Sequence, residues 1–112
     1  MSRSEQQAVV ERFLAALRTG RLRDLMEVMA PSVVLIADGG RLAAAALGPV
    51  HGAELVARVL ARASRSALTS TTVWLNGAPA GRLEVDGEPA TVSLVVEDGR
   101  VTGSTWSETR ES

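Results

Sequence analysis

In the segment "TTVWLNGAPAGRLEVDGEPATVSLVVEDGRVTGSTWS", residues 71–107, the apolar period changes from helical to alternating, which makes it the most informative part of the chain about the fold. The alternation predicts four strands: Thr71–Asn76, Ala80–Val85, Pro89–Glu97 and Arg100–Ser107. Three turn dipeptides separate them: Asn76-Gly77, Asp86-Gly87 and Asp98-Gly99. Asn, Asp and Gly adopt positive φ at little cost, so each dipeptide favours a tight hairpin. We therefore expect the last three strands to form an antiparallel meander.

The chain before this stretch has mainly helical periodicity. Helices are predicted over Ser4–Leu17, Leu22–Met29 and Ala53–Arg65. Ser4 is the expected cap of the first helix, Pro31 follows the end of the second, and Gly52 opens the third. The three helices should each present an apolar face to a shared core.

A β-branched run, SVVLIA at residues 32–37, lies between the second and third helices and predicts a strand. The turn Asp38-Gly39-Gly40 closes it, and Arg41–Leu47 is the expected short return strand. Three helices and a meander predict an α+β fold, a cone-shaped curved antiparallel sheet packed on three N-terminal helices. This arrangement leaves a conical space between sheet and helices, which forms a pocket if the ends do not meet.

Composition limits the function classes. The 112 residues, 46% of them hydrophobic, are expected to form one domain over 1–112. A net charge of −1 offers no general attraction for nucleic acid or membrane surfaces. No apolar run is long enough to span a bilayer, and the polar start is unlike a leader peptide, so a cytoplasmic location is expected. With no Cys and a single His, no metal or cofactor is expected.

Three motifs, in order, carry a resemblance to a known family. They are Asp38-Gly39-Gly40-Arg41, Pro49-Val50-His51-Gly52 and Asn76-Gly77-Ala78-Pro79-Ala80-Gly81, followed by "VEDGRVTG" at 96–103. Over nearly its whole length the chain resembles the SnoaL-like, nuclear-transport-factor-2-like (NTF2-like) superfamily. It is most similar to the C-terminal SnoaL-like domain of extracytoplasmic-function sigma factors. The chain differs in having one glycine fewer before Arg41 and a different C-terminal ending.

The resemblance implies a cystatin-like roll and a regulatory module that binds a small apolar molecule or a partner. The implied partners are RNA polymerase or sigma-factor regions, and a second copy, since sheet faces in this superfamily often dimerise. Since no sigma regions and no helix-turn-helix pattern accompany the domain, we expect either an excised or free-standing copy of the regulatory module or an independent relative, in each case without direct contact to nucleic acid.

Asp38 and His51 are the candidate catalytic residues, because acid–base chemistry needs two groups within hydrogen-bond reach. Resemblance to ketosteroid isomerases places a general base near Asp38 and a tyrosine at Phe13, which lacks the hydroxyl that would stabilise an oxyanion. Asp38 is alternatively the first residue of a tight turn, and His51 a capping or rim residue of the third helix. The alternative function is thus a small cyclase, isomerase or epoxide hydrolase.

Four residues are candidate ligand-binding residues: Phe13, Trp74, Asn76 and Trp106. Each Trp either lines the conical space or forms part of a partner surface, where Trp is enriched. Asn76, like Glu97 and Ser104, either forms a hydrogen bond with a ligand or serves only the end of a hairpin.

Overall fold

The computed structural model describes residues 2–38, 48–63, 68–85 and 87–108. Its helices are α1 (Arg3–Thr19), α2 (Leu22–Val28) and α3 (Ala53–Ala63). Its strands are β1 (Met29–Asp38), β2 (Val50–His51), β3 (Leu68–Leu75), β4 (Ala78–Val85), β5 (Glu88–Glu97) and β6 (Arg100–Glu108). The expected return strand over Arg41–Leu47, the turn residue Asp86 and the last residues of the third predicted helix lie outside the described residues.

The strands form one curved, unclosed sheet in the order β2-β1-β6-β5-β4-β3. The meander from β3 to β6 is antiparallel throughout, as predicted for its last three strands. β1 pairs with β6 in parallel, which makes the sheet mixed. The three helices pack on one face of this sheet, so the predicted α+β, cystatin-like class is confirmed.

Two predicted helix boundaries are wrong. The cap of α1 is Ser2, whose hydroxyl accepts a hydrogen bond from the Glu5 amide at 3.2 Å, and not Ser4. Met29 belongs to β1, so α2 ends one residue earlier and the strand starts three residues earlier than predicted. Pro31 has no backbone N–H to donate to a neighbouring strand. It fits inside β1 because the pairing of β1 with β6 is irregular between Met29 and Val34, so no regular ladder is interrupted there.

The predicted hairpin turns have the backbone that their sequences favour. Asn76 and Gly77 have φ values of 52° and 78°, and Asp98 and Gly99 have 50° and 75°. Two successive residues with positive φ give the type I′ turn, whose twist matches that of the flanking strands. The local turn chemistry therefore sets the register of the meander.

The core lies between the helices and the sheet. It contains apolar side chains from α1, α2, α3 and five strands, and its largest fully buried members include Trp106, Phe13, Leu17, Leu25 and Leu35. Burial of this apolar surface is the main stabilising contribution to the fold.

Helix α1 packs directly against the sheet at Gly81 in β4. A Cβ atom at this position would lie 2.6 Å from Leu14 Cδ2 and 3.1 Å from Val92 Cγ1. The absence of a side chain at Gly81 therefore lets Leu14 of α1 rest directly on the strand.

Candidate functional site

The two faces of β1 separate core residues from exposed residues. Val33 and Leu35 have no solvent-accessible surface, whereas Ile36 is 47% exposed. Because side chains alternate along a strand, Asp38 shares the face of Ile36. We call the face of Val33 and Leu35 the helix-covered face, and the face of Ile36 and Asp38 the outer face.

His51 also belongs to the outer face. It pairs with Val34 in the antiparallel ladder of β1 and β2, and directly paired residues present their side chains on the same face. Its neighbour Val50 pairs with Leu35 and packs against the core instead. His51 is exposed and precedes Gly52, whose carbonyl accepts the first hydrogen bond of α3 from the Val56 amide at 3.0 Å.

Asp38 and His51 do not converge. The partner of His51 is Val34, four residues before Asp38 along β1. At a rise of about 3.3 Å per residue and a strand spacing of about 4.8 Å, their Cα atoms lie about 14 Å apart. Both side chains also lie on the face of the sheet that the helices leave uncovered. This arrangement does not bring the two groups within reach of one substrate atom.

Phe13 and Trp106 both belong to the core under the helices. Phe13 in α1 has no accessible surface, and Trp106 in β6 is 1% exposed. Trp106 occupies the helix-covered face because it pairs with Ala37 of β1 and Val92 of β5, which both pack in the core. Both residues therefore contribute directly to the packing of the domain.

Trp74 occupies the helix-covered side of the edge strand β3. It pairs with the buried Pro79, and the Arg3 guanidinium lies over its ring at 4.1 Å from the centroid. Arg18, at the other end of α1, donates a hydrogen bond to the Ser70 hydroxyl. These two arginines connect α1 to the edge of the sheet, and Trp74 is only half-buried there.

Asn76 lies at the tip of the hairpin between β3 and β4. It is exposed and has the positive φ that this turn requires. Its place at the end of the hairpin separates it from the buried pair of Phe13 and Trp106.

The buried region beneath the helices holds very few polar atoms. Among the described residues, Ser104 is the single buried polar residue, and no charged side chain is buried. The Ser104 hydroxyl and the Trp106 indole nitrogen both lack a hydrogen-bond partner. An acid, a base or an ion pair in this region would have to come from outside the described part of the chain.

A concave feature lies on the helical side of the molecule. It is an open groove of about 240 Å³ between α1 and α2, lined by Arg12, Ala15, Ala16, Thr19, Asp24, Glu27 and Val28. Asp24 already accepts a hydrogen bond from the Thr19 hydroxyl at 3.1 Å. Within the described ranges no three His, Asp or Glu side chains are grouped to hold a metal ion.

Sequence reasoning missed Arg82 and placed Ser104 among several hairpin-end residues. Residues that are paired across neighbouring strands form a row on one face of the sheet. Arg82 belongs to the outer-face row of Asp38, because Asp38 pairs with Ser107, Ser107 with Thr91, and Thr91 with Arg82. The alternation of polar and apolar residues in β4, where Leu83 and Val85 are buried, indicates that the Arg82 side chain lies on the outer face.

Comparisons with known proteins agree with this architecture. The chain is similar to a SnoaL-like protein of unknown function from Burkholderia thailandensis, with 15% identity, a TM-score of 0.77, and coverage of 98% of this chain and 99% of the other. It is also similar to a putative ketosteroid isomerase from Kribbella flavida, with 16% identity, a TM-score of 0.70, and coverage of 97% and 81%. No protein-family model matches the sequence, and no curated relative matches it.

A third similar structure is an LEH-like epoxide hydrolase from M. tuberculosis, with 18% identity, a TM-score of 0.63, and coverage of 95% of this chain and 84% of the other. At these identities the similarities establish an NTF2-like, SnoaL-like fold, which isomerases, cyclases and hydrolases share. Because one fold supports many activities, function must be argued from the residues of this chain. No described helix has both the length and the apolar character needed to cross a membrane.

Proposed function

We propose that this chain is a non-catalytic binding domain that takes a small apolar molecule between its sheet and its helices. The observation that carries this proposal is the absence of any buried charged side chain among the described residues. A region lined by apolar side chains favours uncharged ligands, because burying an unpaired charge costs several kcal/mol or more.

The positions of Asp38 and His51 support the same proposal. General acid–base catalysis requires both groups near the reacting atoms, about 3 Å away or bridged by one water. Both residues lie on the outer face, and the sheet itself separates them from the core. In this proposal Asp38 belongs to a protein–protein contact, and His51 precedes the first turn of α3.

The partner at the outer face is a second copy of this chain. Asp38 and Arg82 lie in one row of paired residues with Ser107 and Thr91 between them, and the row continues from Arg82 to Thr71 of β3. A two-fold axis along the strands between β6 and β5 exchanges the positions of Asp38 and Arg82. Two sheets packed face to face about this axis therefore place Asp38 of each copy opposite Arg82 of the other.

The geometry tolerates the usual angle between packed sheets. Rotation by about 30° moves the positions of Asp38 and Arg82, about 7 Å from the axis, by about 4 Å, which long side chains can span.

The proposed role is regulatory, as in the sigma-factor domains that the sequence resembles. The ordered motifs at 38–41, 49–52 and 76–81 support this part of the proposal. RNA polymerase or a sigma-factor region is then the larger partner, and the bound small molecule modulates that contact.

Parallel assays of turnover and binding test the proposal. The wild type and the double variant Asp38→Asn/His51→Gln are given a β,γ-unsaturated ketosteroid and a cyclic epoxide, the substrate classes suggested by two of the similar structures. Binding of methylenecyclohexane, an uncharged apolar probe, is followed by NMR shifts of the core methyl groups. We expect saturable binding in both proteins and no difference in turnover between them.

Two results contradict the proposal. Turnover that falls a thousandfold or more in the double variant identifies an acid–base enzyme. Failure of the wild type to bind either methylenecyclohexane or its ketone counterpart, cyclohexanone, at saturating concentration removes the small-ligand function.

A further inference from the structure

The helix-covered face of β6 contains two buried polar groups without partners. Ser104 is 3% exposed and Trp106 1% exposed, and neither the Ser104 hydroxyl nor the Trp106 indole nitrogen has a hydrogen-bond partner. Each such group costs about 1–3 kcal/mol relative to a satisfied one. Two unsatisfied groups in one place therefore call for an explanation, such as an occupant that completes them.

The two residues share one face of one strand. They are two positions apart, so their Cβ atoms lie about 7 Å apart. Ser104 pairs with Leu35 and Leu94, and Trp106 pairs with Ala37 and Val92. Ser104 and Trp106 are thus neighbouring residues on one face of β6, each with an unsatisfied polar group, among apolar partners.

The chemistry of the pair selects the ligand. The indole N–H is a donor only, and a serine hydroxyl both donates and accepts, so the group common to both is a hydrogen-bond acceptor. With no cation buried among the described residues, a carboxylate or phosphate would remain uncompensated. A neutral carbonyl oxygen, with two lone pairs, suits both donors.

We infer that Ser104 and Trp106 form a carbonyl-binding pair that selects uncharged, largely apolar ketones, esters or amides over hydrocarbons of the same shape. This inference rests on the proposed small-ligand function and adds the chemical class of the ligand. The pair is closed to water in the ligand-free molecule, so the ligand enters during a local separation of the helices from the sheet. In the complex the carbonyl oxygen accepts from the Trp106 N–H and the Ser104 O–H.

The experiment compares cyclohexanone with methylenecyclohexane, in which a methylene group replaces the carbonyl oxygen. ¹H–¹⁵N NMR follows the indole signals of Trp106 and Trp74, and Trp74→Phe assigns them. Trp74, beneath Arg3 at the sheet edge, is the internal control. We expect cyclohexanone to shift the Trp106 signal saturably, with a Kd about tenfold lower than that of methylenecyclohexane.

Two variants remove the donors separately. Ser104→Ala is a small change that keeps the strand intact, and we expect it to weaken cyclohexanone binding about threefold to tenfold without affecting methylenecyclohexane. Trp106→Phe retains an aromatic ring without the N–H, and we expect it to abolish the preference for the ketone. Should Trp106→Phe fail to fold, Ser104→Ala and the wild-type indole shift still decide the question.

Three outcomes overturn the inference, and they are distinguishable. Equal affinity for the two probes leaves the proposed binding function intact and removes carbonyl selection. Binding of neither probe removes both proposals. A Trp106 indole proton that shows contact with a bound water and stays unmoved by the ketone assigns the pair to an internal water.

Discussion

The two faces of strand β1 have similar sequences and opposite surroundings. Leu35 is fully buried beneath the helices, whereas the adjacent Ile36 is 47% exposed on the outer face. The helix-covered face holds the buried pair Ser104 and Trp106, and the outer face holds the ionisable Asp38 and His51. The difference shows that the acid–base candidates and the buried polar groups belong to two separate surfaces.

Substitutions on the two faces of β1 give the sharpest test of this comparison. Leu35→Ala should lower the free energy of unfolding by about 2–5 kcal/mol, because it leaves a cavity in the core. Ile36→Ala should lower it by no more than about 1 kcal/mol, the range of strand propensity at exposed positions. Urea unfolding of both variants at a concentration where the protein is monomeric measures the two values. Equal losses would contradict the assignment of the faces.

Charge reversal tests the outer face as a contact between copies. Asp38→Lys or Arg82→Glu alone places like charges opposite each other twice in the proposed two-fold dimer, and should raise its Kd at least tenfold. The double variant Asp38→Lys/Arg82→Glu should restore most of the affinity. Sedimentation equilibrium measures each Kd.

Arg23→Glu in α2 is the matched control, because it changes the net charge equally on an exposed helix position. Dissociation by Arg23→Glu to the same extent would indicate a general charge effect. A wild type that stays monomeric at high concentration would remove the proposed dimer.

Glycine positions on the two faces provide the next comparison. Gly81→Ala should cost about 1–2 kcal/mol of stability, because the new methyl group meets Leu14 and Val92 at 2.6 and 3.1 Å. Gly103→Ala on the outer face meets only Val95 at 3.6 Å, an ordinary contact, and should be neutral or slightly stabilising. Thermal unfolding of both variants distinguishes the two surroundings, and an equal change in Tm would contradict them.

Most of the fold could be predicted from local patterns in the sequence. The turn dipeptides at 76–77 and 98–99 fixed the meander, and they adopt the expected positive φ. The boundary between α2 and β1 was missed because Pro31 usually ends an element, whereas here it lies in an irregular part of a parallel pairing. The parallel neighbour of β1 is a long-range contact between distant parts of the chain, for which no local pattern exists.

The site was harder to predict than the fold. The run SVVLIA at 32–37 is apolar at every position but the first, so its composition does not reveal which of Leu35 and Ile36 faces the core. Because Asp38 shares the face of Ile36, the sequence alone does not predict on which face of the sheet Asp38 lies. The burial of Ser104 gave no signal either, because a serine in a strand is ordinary until its neighbours are known to be apolar and closed to water.

The smallest expected effect concerns the sheet edge, where Arg3 lies over Trp74. Arg3 opens α1, and a positive charge in the first turn is disfavoured by about 0.3–1 kcal/mol through the helix dipole. The cation–π contact contributes a similar amount in the opposite direction. Arg3→Gln alone should therefore change the free energy of unfolding by less than about 0.5 kcal/mol, although a real contact is lost.

A double-mutant cycle separates these two opposing contributions. Arg3→Gln and Trp74→Leu, measured singly and together by urea unfolding, should give a coupling energy of about 0.5–1 kcal/mol. Arg3→Lys retains the charge and should keep most of that coupling. A coupling near zero would mean that Arg3 merely covers the ring. The half-buried position of Trp74 would then follow from its place on the helix-covered side of β3 alone.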